Sequence, residues 1–152
     1  MRLDKLTTKF QEALSDAQSL ALAKDHAYID PAHVLLAMLH QQDGPKALLQ
    51  RAGVNMTALM SAASAAVERL PQVTGQDQVQ VGSELVKLLQ AAEKESLKRG
   101  EAFVASELFL LALADGKSEL TRTVKAAGLS RQSLEAAVDA VRGGQSVNSA
   151  DA

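Results

Sequence analysis

Three histidines, His26, His33 and His40, recur at intervals of seven residues and are the first candidates for chemistry. Imidazole is the commonest side-chain metal ligand and the group that titrates nearest neutrality. On one helix His33 and His40 share a face, but at 1.5 Å rise per residue they stand about 10 Å apart. That is too wide for one ion, and no carboxylate lies four residues from either to complete a ligand set. His33, inside an apolar run, reads instead as a core histidine whose ring nitrogens find backbone or side-chain partners. Cysteine is absent, which removes thiolate nucleophiles, Cys-based zinc sites and disulfides. Serine is plentiful, yet no Gly-x-Ser-x-Gly elbow occurs. Glu93, Glu95, Glu101 and Glu107 supply carboxylates, which solvated helix faces and helix N-termini explain, a favourable dipole contact adding about 0.3–1 kcal/mol. No Gly-x-x-x-x-Gly-Lys-Ser/Thr is present, and Gly116-Lys117 lacks the upstream glycine of a phosphate loop. The chain is expected to be neither an enzyme nor a holder of metal or cofactor.

Composition says what can position side chains here. The chain has 152 residues, 47% apolar and 22% charged, with only 3% aromatic. Leu and Ala make up about a third of it. These are strong helix formers, and the residues that fill sheets are scarce, so an all-β fold is close to excluded. Sixteen basic residues against eighteen acidic ones leave a net charge of −2, with no basic stripe for nucleic acid. The opening residues lack the apolar centre of a signal peptide, and no apolar run approaches the roughly 20 residues that cross a bilayer. A soluble, cytoplasmic protein is expected.

Helical periodicity begins with Phe10, Leu14, Ala17 and Ala21 on one face of a helix over about 7–23. Thr8 with Gln11 fits a capping box, with Asp4 and Thr7 as alternative caps. Asp30-Pro31 supplies an N-cap and a proline at the first helical position. The helix that follows, to about Gln42, is apolar on most sides, the pattern of a buried central helix. Gly44-Pro45 opens a short helix ending at Gly53, and Asn55 caps a fourth that stops before Pro71. Residues 72–82 are polar and without helical period, a joining loop. The order then repeats. Ser83 caps a helix stopped by Gly100, and an apolar helix spans about Ser106 to Ala114. A short helix runs from about Ser118 to Gly128, and a last one from Ser130 to Gly143-Gly144.

A shift of 75 residues superposes the two halves without a gap over some fifty positions. It pairs Tyr28-Ile29 with Phe103-Val104, Leu35-Leu36-Ala37 with Leu110-Leu111-Ala112, and Ala52-Gly53-Val54 with Ala127-Gly128-Leu129. The expected architecture is all-α, about eight helices in two pseudo-symmetric four-helix repeats. Residues 1–144 form the domain, with repeat one at about 6–70, a loop at 71–82 and repeat two at about 83–142. Residues 145–152 are small and polar, with nothing to pack, and read as a flexible linker.

Asp30-Pro31-Ala32-His33-Val34-Leu35-Leu36-Ala37-Met38-Leu39 resembles the Clp amino-terminal repeat motif, and Ser106-Glu107-Leu108-Phe109-Leu110-Leu111-Ala112-Leu113 looks like its second copy. The opening Leu3 to Phe10, the middle Arg69-Leu70-Pro71-Gln72-Val73 and the end Val141 to Val147 are most similar to the disaggregase branch of that family. The resemblance implies the N-terminal domain of a hexameric AAA+ machine that extracts polypeptides from aggregates together with an Hsp70-type chaperone system. ATP and magnesium would belong to motor modules beyond the Gly-Gly linker. It further implies a groove holding exposed hydrophobic segments of unfolded substrate, lined at positions corresponding to Ala91, Glu95 and Leu108, with polar neighbours at Thr7, Glu101 and Glu107. Ala91 and Glu95 stand where the family carries larger apolar residues, and Glu101 replaces its aspartate.

Bare residue chemistry offers other readings of these positions: Thr7 as a helix cap, Leu108 as core. The competing functional expectation is a docking module for a folded adaptor, as in other unfoldases of the family. Nothing in the sequence requires the domain by itself to oligomerise.

Overall fold

The computed structural model describes residues 2–75 and 77–152. After a 3-10 turn at Leu3–Lys5, the described residues form α1 (Thr8–Ala23), α2 (Pro31–His40), α3 (Lys46–Arg51), α4 (Met56–Glu68), α5 (Ser83–Lys98), α6 (Ser106–Ala114), α7 (Glu119–Ala126) and α8 (Arg131–Arg142). Two short strands, β1 (Tyr28–Ile29) and β2 (Gln80–Val81), complete the order. The all-α expectation holds, with this small sheet added to it.

Side-chain caps set most helix starts. Asp30 accepts from the Ala32 N–H at 2.9 Å with Pro31 in the first turn, and Asn55 accepts from the Ala58 N–H at 3.0 Å. Ser118 and Ser130 cap α7 and α8 in the same way. Two expected caps move. Thr7, not Thr8, accepts the Phe10 N–H, while Gln11 donates to the Leu6 carbonyl instead of closing a box. Ser83 is the first residue of α5, and Gly82 is its N-cap. The reason is the sheet, which the joining loop of 72–82 was not expected to contain. The Gly82 N–H donates to Ile29 O, and a Cβ at Gly82 would sit only 3.0 Å from that oxygen.

Helices α2 and α6 lie at the centre. Every residue from Pro31 to Leu39 is buried, as are all of α6 except Glu107 and Ala112. α1 and α4 pack on α2, while α5, α7 and α8 pack on α6. The starts of α1, α2 and α4 precede those of α5, α6 and α8 by 75 residues each, so the repeat read in the sequence is a repeat in space.

The repeats are interlocked rather than placed side by side. β1 pairs in parallel with β2, matching Ile29 to Val81, and Leu6 forms a parallel bridge with Val104. Val81 and Val104 are the 75-residue mates of Leu6 and Ile29, so these pairings exchange under a pseudo-twofold axis, and each joins one repeat to the other. Likewise α3 packs on α8 and α7 on α4. Phe10 of α1 meets Phe109 of α6 edge-on, ring centroids 6.0 Å apart, in one continuous core. The end of α7 crosses the end of α3: the Asn55 N–H donates to Ala127 O, and a Cβ at Gly128, φ +99°, would sit 3.3 Å from Gly53 O.

The segment 145–152 departs from expectation. Val147 is buried, and its carbonyl accepts from the N–H groups of Ala102 and Phe103 at 3.0 and 3.2 Å. The first repeat is closed at the corresponding place, where Gln72 bridges His26 and the Val73 N–H donates to Asp25 O at 2.8 Å. Gln72 and Val147 are 75-residue mates. The sequence after α8 therefore has something to pack against: the corner between α5 and α6.

At Gly128 a side chain would be both left-handed and 3.3 Å from Gly53 O, whereas at Gly53, φ +85°, nothing lies within 4 Å of the added Cβ. Gly128→Ala should therefore cost about 2–3 kcal/mol in denaturant unfolding and Gly53→Ala about 1 kcal/mol. Equal losses would place the repeats further apart than described.

Candidate functional site

Two polar clusters hold the corners that lead into the central helices. In the first repeat the turn after α1 presents His26 to His33 of α2. The Asp30 N–H donates to His33 Nδ1 at 2.9 Å, which leaves the proton on Nε2. That nitrogen lies 2.8 Å from His26 Nδ1 and donates to it. With the Asp30 side chain on the Ala32 N–H, His33 thus closes a capping box at the start of α2. Both rings are buried. His40 lies exposed at the end of α2. Among the described residues no group of three His, Cys, Asp or Glu is placed to hold a metal ion.

Burial, with the neighbouring His26, lowers the His33 pKa to about 4. The unfolded chain therefore binds this proton near pH 6.5 and the folded chain only near 4. The stabilisation is complete above 6.5 and is lost as pH falls towards 4. Burial raises the Asp30 carboxyl above its usual value, so its proton uptake partly offsets that loss at the acid end.

In the second repeat the mate of His26 is Glu101, and the mate of His33 is Leu108. Here Arg142, from the last turn of α8, reaches back between two carboxylates. Its Nη1 donates to Glu101 Oε2, and its Nη2 donates to Glu107 Oε1 at 2.8 Å. The same Glu101 oxygen accepts the Val147 N–H at 3.1 Å. The Glu101 side chain is 2% exposed and that of Arg142 10%.

The implied groove around Ala91, Glu95 and Leu108 is not assembled. Leu108 is wholly buried in the core, beneath the α5–α6 contact, so it presents nothing to a partner. Glu95 receives Arg131 at 2.9 Å and Arg99 at 3.3 Å. Burial pushes its carboxyl up, but the two guanidinium groups outweigh this and hold it below the ordinary range. Ala91 lies exposed on α5. Ala91 and Glu95 lie on adjoining turns of α5 and Leu108 on α6, and packing divides the three between open surface, ion-pair network and core.

Two clefts related by the repeat lie where the halves meet. One cleft, of about 340 Å³, lies between the start of α2 (Asp30, Pro31), the end of α4 (Ala66) and α7 (Leu120, Thr123). The other, of about 360 Å³, lies between the start of α6 (Ala105, Ser106), the end of α8 (Val141) and Pro45 and Leu48 of the α3 region. These residues correspond one for one at an offset of 75. The second cleft gathers two of the implied residues, Thr7 and Glu107, from the two ends of the fold. Thr7 is nearly buried as the cap of α1, and its N–H donates to Val104 O. Ser106 was missed in the sequence. It is buried on this cleft, and its Oγ has no partner among the described residues. The signal available was its position as the mate of Pro31, which lines the first cleft.

Two measurements follow from the polar clusters. Unfolding free energy should fall by roughly 2–4 kcal/mol between pH 7 and pH 4 from His33, with ring NMR showing His33 unprotonated down to pH 5; a ring titrating near 6.5 would contradict the burial. Arg142→Ala should cost about 3–5 kcal/mol, because it strands a buried Glu101 carboxylate, and Arg142→Ala combined with Glu101→Gln should recover part of that loss.

Comparisons with known proteins accord with this architecture. A family model described as Clp repeat (R) N-terminal domain matches residues 5–127. The chaperone protein ClpB of Vibrio vulnificus is 42% identical over all of this chain, which spans 18% of that relative's length. The N-terminal domain of Hsp104 from Candida albicans has the same fold, with a TM-score of 0.84 at 22% identity and 97% of each chain covered. A complex of the ClpV N-domain with a VipB peptide superposes with a TM-score of 0.73 at 26% identity, covering 93% of this chain and 89% of the other. This chain belongs to the Clp repeat (R) N-terminal domain family.

Proposed function

We propose that the chain engages exposed hydrophobic segments of unfolded or aggregated polypeptide at the cleft between α6, α8 and the α3 region. The observation that carries this reading is the composition of that cleft. It joins half-buried or exposed apolar walls, Leu48 and Val141, to a buried hydroxyl without a partner, Ser106, and to Thr7 and Glu107. Interhelical clefts of a few hundred Å³ with sparse polar groups are characteristic of apolar ligand binding. The peptide held by the ClpV N-domain supports a peptide-sized occupant.

The cleft is shallow in aromatic content, so each contact is weak, and weak binding suits a domain that must release what it captures. In a hexamer of the ClpB kind, six copies would raise the effective affinity through avidity. In that setting the captured segment would pass to an ATP-driven threading motor, with an Hsp70-type system acting upstream. Docking of a folded adaptor is the competing reading.

Titration with reduced, carboxymethylated α-lactalbumin, a permanently unfolded polypeptide, should shift the amide signals of Ser106, Glu107, Val141 and Leu48. Val141, 61% exposed, can be changed without opening the core. Val141→Lys should weaken that binding about fivefold while leaving the melting temperature within a degree or two. Shifts confined elsewhere would remove this cleft as the site, and binding only to folded proteins would favour the adaptor reading.

A further inference from the structure

The segment after α8 reaches the cleft at Ala152 and is held mainly through its main chain, with two side-chain bonds, from Ser146 to Arg99 O and from Thr8 to Asp151. Val147 O accepts from Ala102 and Phe103, the Val147 N–H donates to Glu101, and Ala150 O accepts the Thr8 N–H at 2.8 Å. The Thr8 N–H belongs to the first turn of α1, where helix N–H groups have no partner within the helix. Thr8 Oγ1 also donates to Asp151 at 3.1 Å, and Ala152 lies on the wall of the cleft beside Thr7 and Glu107. Only one side chain of this stretch, Val147, is buried. Gly143 and Gly144, at φ +54° and +87° with open space around each, turn the chain back onto the domain.

We propose that residues 145–152 are an exchangeable strap: a resident extended segment that an incoming unfolded polypeptide must displace to occupy the cleft. Main-chain hydrogen bonds are the one recognition element that unfolded segments of every sequence share, as in strand addition to a sheet edge. The strap uses four of them and a single aliphatic anchor, so an extended segment with an aliphatic residue, and without proline, at the Val147 position can reproduce its main-chain contacts, though not the side-chain bonds of Ser146 and Asp151. Glu101 and Arg142 act here as positioning residues. They hold the carboxylate that receives the anchor's N–H, and Glu107, on the far side of Arg142, carries the arrangement to the cleft wall. The strap is thus held by Glu101 directly and by Thr8 at the start of α1, with Glu107 acting only through Arg142. Competition with substrate rests on the function proposed above; the docking of the strap does not.

The test therefore has two readouts. In the unmodified chain the amide of Val147 should exchange at least tenfold more slowly than a random coil, and Val147→Asp should abolish this while the helical circular dichroism is retained. Val147→Asp should also bind carboxymethylated α-lactalbumin three- to tenfold more tightly. Should Val147→Asp disturb the fold, Val147→Ser provides the milder release. An unprotected Val147 amide in the unmodified chain overturns the strap itself. Protection lost on substitution without any gain in affinity overturns the competition, leaving polypeptide binding intact. If neither chain binds the unfolded probe, the proposed function fails, and competition falls with it, whatever the exchange data show.

Discussion

The structure depends on covering two helices that are apolar all round. α2 and α6 have almost no polar face, so each needs packing partners on every side. A single four-helix repeat does not supply them. Its own long helices cover part of the surface, and the remainder is covered by the other repeat, through α1 against Phe109 and through the crossed packing of α3 with α8 and α7 with α4. Burial of this kind contributes about 25 cal/mol per Å² of apolar surface, and the two halves must share it. Interlocking is the consequence, and with it the mutual strand pairings of Leu6 with Val104 and Ile29 with Val81.

Symmetry then decides where the clefts form. Where the start of a central helix approaches the short helix of the other repeat, each half leaves a cleft, and the two clefts are related by the same 75-residue offset. They are not chemically equal. The corner behind the first is closed by two hydrogen-bonded imidazoles and the corner behind the second by an arginine between two carboxylates. In the second corner Glu101 Oε2 accepts both Arg142 and the main chain of the segment that follows α8, while Glu101 Oε1 is buried without a partner among the described residues. The second repeat is thus the one whose corner touches its own exit strand by a charged group.

Much of the fold was legible in the residues. Capping positions Asp30, Asn55, Ser118 and Ser130, together with the glycines 53, 100, 128 and 143, bounded the helices, because these types act within one turn of chain. Thr7, Thr8 and Ser83 were harder to read, since their roles depend on strands formed with residues far away in sequence. The candidate site was legible only in part. Thr7 and Glu107 come together at a cleft. Glu95 and Leu108 do not, because an α-helix face read from sequence does not say which neighbour covers it. His33 was recognisable as a core histidine from its apolar surroundings. Its partner, His26, lies beyond a turn whose path the sequence does not specify.

The sequence by itself determined that this is a helical chain written twice, that its two most apolar helices are central, and which family it resembles. Those properties reside in periodicity, caps and local motifs, which act over a few residues. Only the tertiary structure decided that the repeats pair strands with one another, that the junction leaves a pair of clefts related by the repeat, that Leu108 is core, and that Val147 is bound. Each of these depends on which distant surface a local element buries, and a side chain's type sets how much burial stabilises it without setting what it is buried against.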